Sequence, residues 1–394
     1  QIVEDPAASE LYAPFLSLPE TIAPEVAARL KADGLAAVAN AVQAYRDTAR
    51  FIDLAYAPAA RAQAGIAGLP GGREAYAAAV DGHTAGAGYS PEDIHAIGLT
   101  EVARIRAEMD EVMAQTGFMG SFAQFQAFLR TDPQFYAQTD TELMAKAREI
   151  TDRIDPILPL WFNQLPKLGY TVDPVPLSIA PGYTTGRYSQ GDPAEGRKGS
   201  YLVNTYALEQ RPLYELPALS AHEAVPGHHL QIALAQEMEG QPRFRQEYYA
   251  TAFGEGWGLY AERIAGEAGI YQTPYERFGA LSYEMWRACR LVADTGLHWY
   301  GWTRAQAEAC FIDNSALSPL NIETEVTRYI GWPGQATAYK IGELKIRALR
   351  AEAEAALGER FDIREFHDVV LGQGAVPLDV LDAQVKAWVA ASVP

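Results

Sequence analysis

Apolar residues return every three or four positions along most of this chain, the spacing that lines one face of an α-helix. PEVAARLKADGLAAVANAVQAYRDTARFIDLAYAPAAR, residues 24 to 61, predicts one or two alanine-rich helices. SPEDIHAIGLTEVARIRAEMDEVMAQTG, residues 90 to 117, carries its own punctuation: Ser90 as N-cap, Pro91 at the first helical position, acids in the first turn and Gly117 as the stop. Shorter helices are expected between 121 and 165. From 170 to 206 the texture changes to prolines, glycines and β-branched residues. This predicts a small sheet with strands near 170–178, 183–188 and 200–207, the last two joined by SQGDPAEGRKG. Helical spacing resumes near 215–239, 243–268, 274–299, 303–313, 321–329 and 333–357, then near 361–371 and 377–391. The expected fold is mainly α. A helical subregion (1–168), a small sheet (169–207) and a second helical region (208–394) form a single domain, with no repeat or clear linker.

The 394 residues carry a formal net charge of -18, which argues against nucleic acid and anionic membrane as partners. No apolar run is long enough to span a membrane. Cys289 and Cys310 both sit in helix-like sequence among apolar neighbours and are read as buried thiols. The chain opens on QIVEDPAASELY, with no signal peptide and no initiator Met, and reads as one that lacks an N-terminal portion.

The chemistry concentrates in HEAVPGHHLQ, residues 222 to 231, where three of the seven histidines fall within eight residues. His-Glu-x-x-His on one helix grips a zinc ion with two imidazoles one turn apart and sets the glutamate beside the water. Here Pro226 occupies the place of the second histidine. On an unbroken helix His229 would lie about 10.5 Å from His222, a long reach for one ion, and His228 would point away. But Val225 precedes a proline, Pro226 has no N–H to donate and Gly227 is flexible. With Pro-Gly looped out, His228 takes the vacant role, so His222 and His228 are the expected metal ligands. His229 is left as a substrate or supporting contact. Glu255 in FGEGWGLYAE, flanked by Gly254 and Gly256, is the expected third ligand. Glu262, on the same face two turns later, is either an acceptor for a ligand histidine or a solvated charge.

These stretches resemble the DUF885 family, bacterial proteins regarded as zinc-metallopeptidase-like. The resemblance runs through HEAVPGHHLQ and GEGWGLYAE, and continues in RACRLVADTGLHWYGWTRAQA, EVTRYIGWPGQATAYKIGELKIRALR and LGERFDIREFHDVVLGQGAVPLDVL, with EDIHAIGLTEVARIRAEM and LRTDPQFY upstream. It places the second motif histidine at His228. It implies a helical metallopeptidase-like fold, one Zn2+ per chain, and an exported or lipid-anchored location, the alternative being the cytoplasm. It also implies alanine where this chain has Gly258.

The expected activity is hydrolysis of short peptides by a metal-activated water, with Glu223 as general base. His298, Tyr329 and Tyr339 are the candidate oxyanion donors; the alternatives are a satisfied structural histidine and core tyrosines with bonded hydroxyls. Arg328 either holds a substrate carboxylate, which would make the enzyme a carboxypeptidase or dipeptidase, or pairs with Glu323 or Glu325. Lys340 carries the same ambiguity. Asn204 and the backbone of 202 to 205 either meet an extended substrate or belong to a strand that simply completes the small sheet. Two other readings stand beside this one: an inactive, metal-stabilised binding or scaffold protein, and a non-haem iron enzyme with two histidines and one carboxylate.

Overall fold

The computed structural model describes residues 2–392, and its contacts divide the chain into two compact units, 1–62 and 63–394. The first unit holds α1 (Ala13–Leu16) and the long α2 (Pro24–Phe51), which begins on a proline at the position where a missing N–H costs nothing. Its core is small: Tyr12, Val38 and Val42, with Val3 and Phe15 packed against them. Gly34 lets the Phe15 ring lie on α2, since a Cβ there would come within 2.6 Å of it.

The second unit begins with α3 (Gly72–Thr84), α4 (Pro91–Gln115), α5 (Phe122–Thr131), α6 (Asp140–Ile154) and α7 (Leu158–Trp161). The sheet follows as β1 (Tyr170–Pro174), β2 (Gly186–Ser189) and β3 (Gly199–Val203). Then come α8 (Leu216–Glu223), α9 (His228–Gln236), α10 (Arg243–Glu247), α11 (Thr251–Glu267) and α12 (Pro274–Thr295). The unit closes with α13 (Arg304–Asn314), α14 (Pro319–Gly331), α15 (Ala338–Leu357), α16 (Ile363–Leu371) and α17 (Leu378–Ser392). The mainly α expectation holds, and α4 starts as its sequence predicts. Ser90 accepts from the Asp93 amide, the Asp93 carboxylate accepts in return from Ser90, and Gly117 turns the chain at φ 74°. Apolar spacing predicts no helix at α3. Its buried stripe is only Gly72, Tyr76, Val80 and Thr84, with too few apolar side chains to stand out.

Two helix pairs form the frame of the site: α12 packs along α4, and α11 along α15. Each pair touches at glycine. A Cβ on Gly98 of α4 would meet the Leu291 side chain at 2.8 Å, and one on Gly256 of α11 would meet the Gly342 backbone of α15 at 2.5 Å. Around these crossings Phe253, Trp257, Tyr260, Phe278 and Tyr283 are fully buried, each worth about 1.5–3 kcal/mol of transfer free energy.

The cysteines are not free thiols. Cys289 on α12 and Cys310 on α13 form a disulfide, with Cα atoms 5.7 Å apart. Their apolar neighbourhoods gave no sign of pairing, because the turn between the helices brings the two residues together. No helix among the described residues is long and apolar enough to cross a membrane.

The sheet order is β1-β3-β2, with β1 parallel and β2 antiparallel to β3. β3, the strand expected to meet substrate, is therefore the central one and has neighbours on both sides. The strand with an edge turned to the cleft is β2.

Candidate metal centre

Helix α8 stops at Glu223, the Val225–Pro226 peptide is cis, and α9 starts at His228. Pro226 cannot continue the helical ladder. Gly227 follows so tightly that a Cβ would lie 1.9 Å from the His222 carbonyl oxygen. The break folds His228 back onto His222, with ring centroids 4.7 Å apart. From α11, Glu255 reaches both: its Oε2 is 3.3 Å from His228 Nε2 and 3.7 Å from His222 Nε2. All three donor atoms lie within 4.8 Å of one another. Ligands of a tetrahedral zinc ion, bonded at 2.0–2.2 Å, stand about 3.3 Å apart, so two imidazoles and a carboxylate of this size and chemistry could hold such an ion.

A second ring of contacts fixes the first. Glu262 Oε1 accepts from His222 Nδ1 at 2.8 Å and from Arg287 Nη2 at 3.0 Å. This leaves His222 Nε2 turned to the cluster, the arrangement that sets the tautomer of a ligating imidazole. Burial would lower the His222 pKa, but Glu255 and Glu262 override it and push it up to about 9. Burial would likewise raise Glu255, yet the two histidines hold its carboxyl well below the usual range. The pocket thus favours positive charge between imidazole and carboxylate, whether carried by a proton or by a metal ion. Gly258 lies against the His222 ring: a Cβ there would come within 2.7 Å of Cε1. The alanine that the resemblance implies would press on the His222 ring, so glycine here is not a neutral change.

Glu223 stands beside the cluster on the wall of a cavity of about 1170 Å³. Its Oε2 accepts from the Tyr188 amide of β2 at 2.7 Å. That amide points away from β3, so the outer edge of β2 runs along the cleft and orients the carboxylate.

Of the residues expected around substrate, Arg328 and Tyr339 line this cavity. The Tyr339 ring lies 6.4 Å from that of His222, nearly parallel to it, and its hydroxyl accepts from Gln335 at 3.4 Å. Of the two readings of Arg328, the pairing with Glu325 is present. The side chain lines the cleft, and it donates to Glu325 Oε2 at 3.1 Å and to Gln335 at 2.8 Å.

The remaining five lie outside the cavity wall. His298 is fully buried, one ring nitrogen accepting from the Ile66 amide and the other donating to the Tyr329 carbonyl, so it has no nitrogen left for substrate. The Tyr329 hydroxyl is spent on Trp286, Arg290 and Glu325. Asn204 is fully buried and ties the carbonyls of Ala180, Tyr183 and Thr184. His229 packs on Tyr170 and bonds the Tyr188 hydroxyl at 3.0 Å; burial pushes its pKa down to about 4. Lys340 is buried among Glu101, Glu284 and Glu343. Each of these supports the frame rather than the substrate.

Among the cavity residues that escaped the sequence reading are Tyr249, Arg287 and Arg290. RACR, residues 287 to 290, held a usable signal. Two arginines one turn apart in an apolar helix need anionic partners or a cleft. Arg287 serves Glu262, and Arg290 serves Glu325 at 2.8 Å.

A family model described as "Bacterial protein of unknown function (DUF885)" matches residues 1–385. A crystal structure described as a "putative lipoprotein" from Colwellia psychrerythraea superposes with a TM-score of 0.89 at 33% identity, over 97% of this chain and 66% of that one. This chain thus spans just under two thirds of that protein's length. A second structure, a "putative lipoprotein of unknown function" from Shewanella oneidensis, matches 95% of this chain and 69% of its own with a TM-score of 0.69; at 18% identity this is a likeness of fold. No curated protein matches.

Proposed function

The chain belongs to the DUF885 family of bacterial proteins of unknown function, and from that premise we propose that it is a zinc-dependent peptidase acting on short peptides. One observation carries this reading. His222, His228 and Glu255 converge within 4.8 Å, and Glu223 stands beside them on the wall of a large cavity. Zinc held by these three would polarise a peptide carbonyl and bring the pKa of water towards neutrality. Glu262 holds His222 in the tautomer that turns Nε2 to the cluster. Glu223, oriented by the Tyr188 amide, takes the proton of the attacking water and hands it to the leaving amine. The Tyr339 hydroxyl donates to the oxyanion as it develops. The outer edge of β2 pairs with the extended backbone of the peptide. The disulfide favours an oxidising compartment, in keeping with export, and the two neighbours described as lipoproteins support the same location.

The test is metal content and coordination, by elemental analysis and metal-edge absorption on protein purified without added metal, followed by a peptide-library assay. Near one zinc per chain, with two imidazoles and a carboxylate, and cleavage of short peptides is the expected result. Protein that takes up no zinc even when it is supplied would sink the proposal. Iron in place of zinc would move the reading to oxygen chemistry at the same ligands.

A further inference from the structure

On the wall of the same cavity, two guanidinium groups meet at a single carboxylate oxygen. Glu325 Oε2 accepts from Arg290 Nη2 at 2.8 Å and from Arg328 Nη2 at 3.1 Å, and also from the Tyr329 hydroxyl at 2.8 Å. Two positive charges thus face one negative charge, inside a chain whose net charge is -18. Their donors are not used up. A guanidinium carries five N–H groups. Arg290 spends Nε on Tyr329 and Nη2 on Glu325, while its Nη1 has no partner among the described residues although the side chain is 4% exposed. Arg328 is less enclosed, with 28% of its side chain exposed. Both line the cavity. Arg290 also lies 4.2 Å over the ring of Tyr339, which faces the His222 ring as well. One tyrosine therefore separates the arginine pair from the cluster of histidines.

We infer that Arg290 and Arg328 bind the free α-carboxylate of the peptide substrate, so that the enzyme removes residues from the C-terminus of short peptides. This rests on the peptidase reading and narrows it to an exopeptidase. The geometry favours a carboxylate because planar guanidinium groups grip it through paired N–H donors. With one ring between anchor and cluster, the bond presented to Glu223 lies close to the chain end. Glu325 keeps the two cations together while no substrate is bound.

The test uses peptides identical except for a free or an amidated C-terminus. Cleavage is followed by mass spectrometry, and binding is measured separately by calorimetry on the Glu223→Gln protein. The free acid is expected to be cut near its C-terminus and bound about 10- to 100-fold better than the amide. Arg328→Gln is expected to erase that preference through KM, with kcat little changed, and Arg328→Lys to restore part of it. Equal cleavage and equal binding of acid and amide would overturn the anchor and leave the peptidase standing. Preferential binding of the acid without cleavage of either would support the anchor and overturn the peptidase. No cleavage and no difference in binding would overturn both.

Discussion

Tyr339 and Lys340 are neighbours on α15 and face two different groups of buried charge. Lys340 is sealed in a cluster where its ammonium meets Glu284 at 2.7 Å, Glu101 at 2.9 Å and Glu343 at 3.0 Å. Arg104 and Arg347 pair with the same acids. Tyr339 instead looks onto the cavity, between the His222 ring and Arg290. In the sealed cluster the ammonium stands within 3.0 Å of three carboxylates and hydrogen-bonds Glu284. Around the cavity the charges are answered only in part: imidazole nitrogens face one carboxylate, and Arg290 keeps a guanidinium nitrogen without a partner. The two sites differ less in how much charge they bury than in how much binding capacity is left over.

Substitutions on the two sides should separate along that line. On the open side, Glu223→Gln is expected to lower peptide cleavage by about 10²–10⁴-fold while metal content stays the same, because glutamine still accepts from the Tyr188 amide. Parallel rate and elemental measurements check this; metal lost together with activity would show that Glu223 supports the site instead of acting as base. On the sealed side, Lys340→Met leaves three acids with only Arg104 and Arg347 among the described residues to answer them and is expected to cost about 3–5 kcal/mol in denaturant unfolding, with KM unchanged in the protein that remains folded. A small stability loss with a raised KM would return Lys340 to the substrate.

Helix α12 joins the two sites, since it carries Glu284 on one and Arg287 and Arg290 on the other. Replacing Cys289 and Cys310 by serine releases it from α13. With a separation of 21 residues, the loss is expected to be about 3 kcal/mol by the chain-entropy estimate, read as a fall in thermal midpoint. If both sites depend on α12, zinc affinity falls as well. The finest probe is Gly258→Ala, whose methyl would push the His222 ring. Zinc affinity is expected to drop about 10- to 100-fold with little change in unfolding midpoint; an unaltered zinc titration would show that His222 tolerates the shift.

Much of the site was legible because its residues lie in short stretches with strong local rules. Pro226 and Gly227 announce a broken helix, and the break is what makes His228 the neighbour of His222. Glu255 and Glu262 were legible from their spacing on one helix between glycines. The substrate-side readings of His298, Tyr329, Asn204, His229 and Lys340 fail for a common reason. Each is a polar side chain close in sequence to a motif, and in each the hydrogen-bonding capacity is taken up by residues distant in the chain or by buried backbone.

By itself the sequence determined the elements and the donor types. Helical spacing, the Ser90 cap, the change of texture at 170 and the broken His-Glu motif are all local, and local backbone chemistry decides them. Only the tertiary structure decided which charges are sealed and which are open. That depends on what each side chain meets across the interior: β2 against Glu223, α13 against Cys289, and Glu325 between two arginines. Burial and pairing are properties of contacts between distant segments, and spacing along one segment does not encode them.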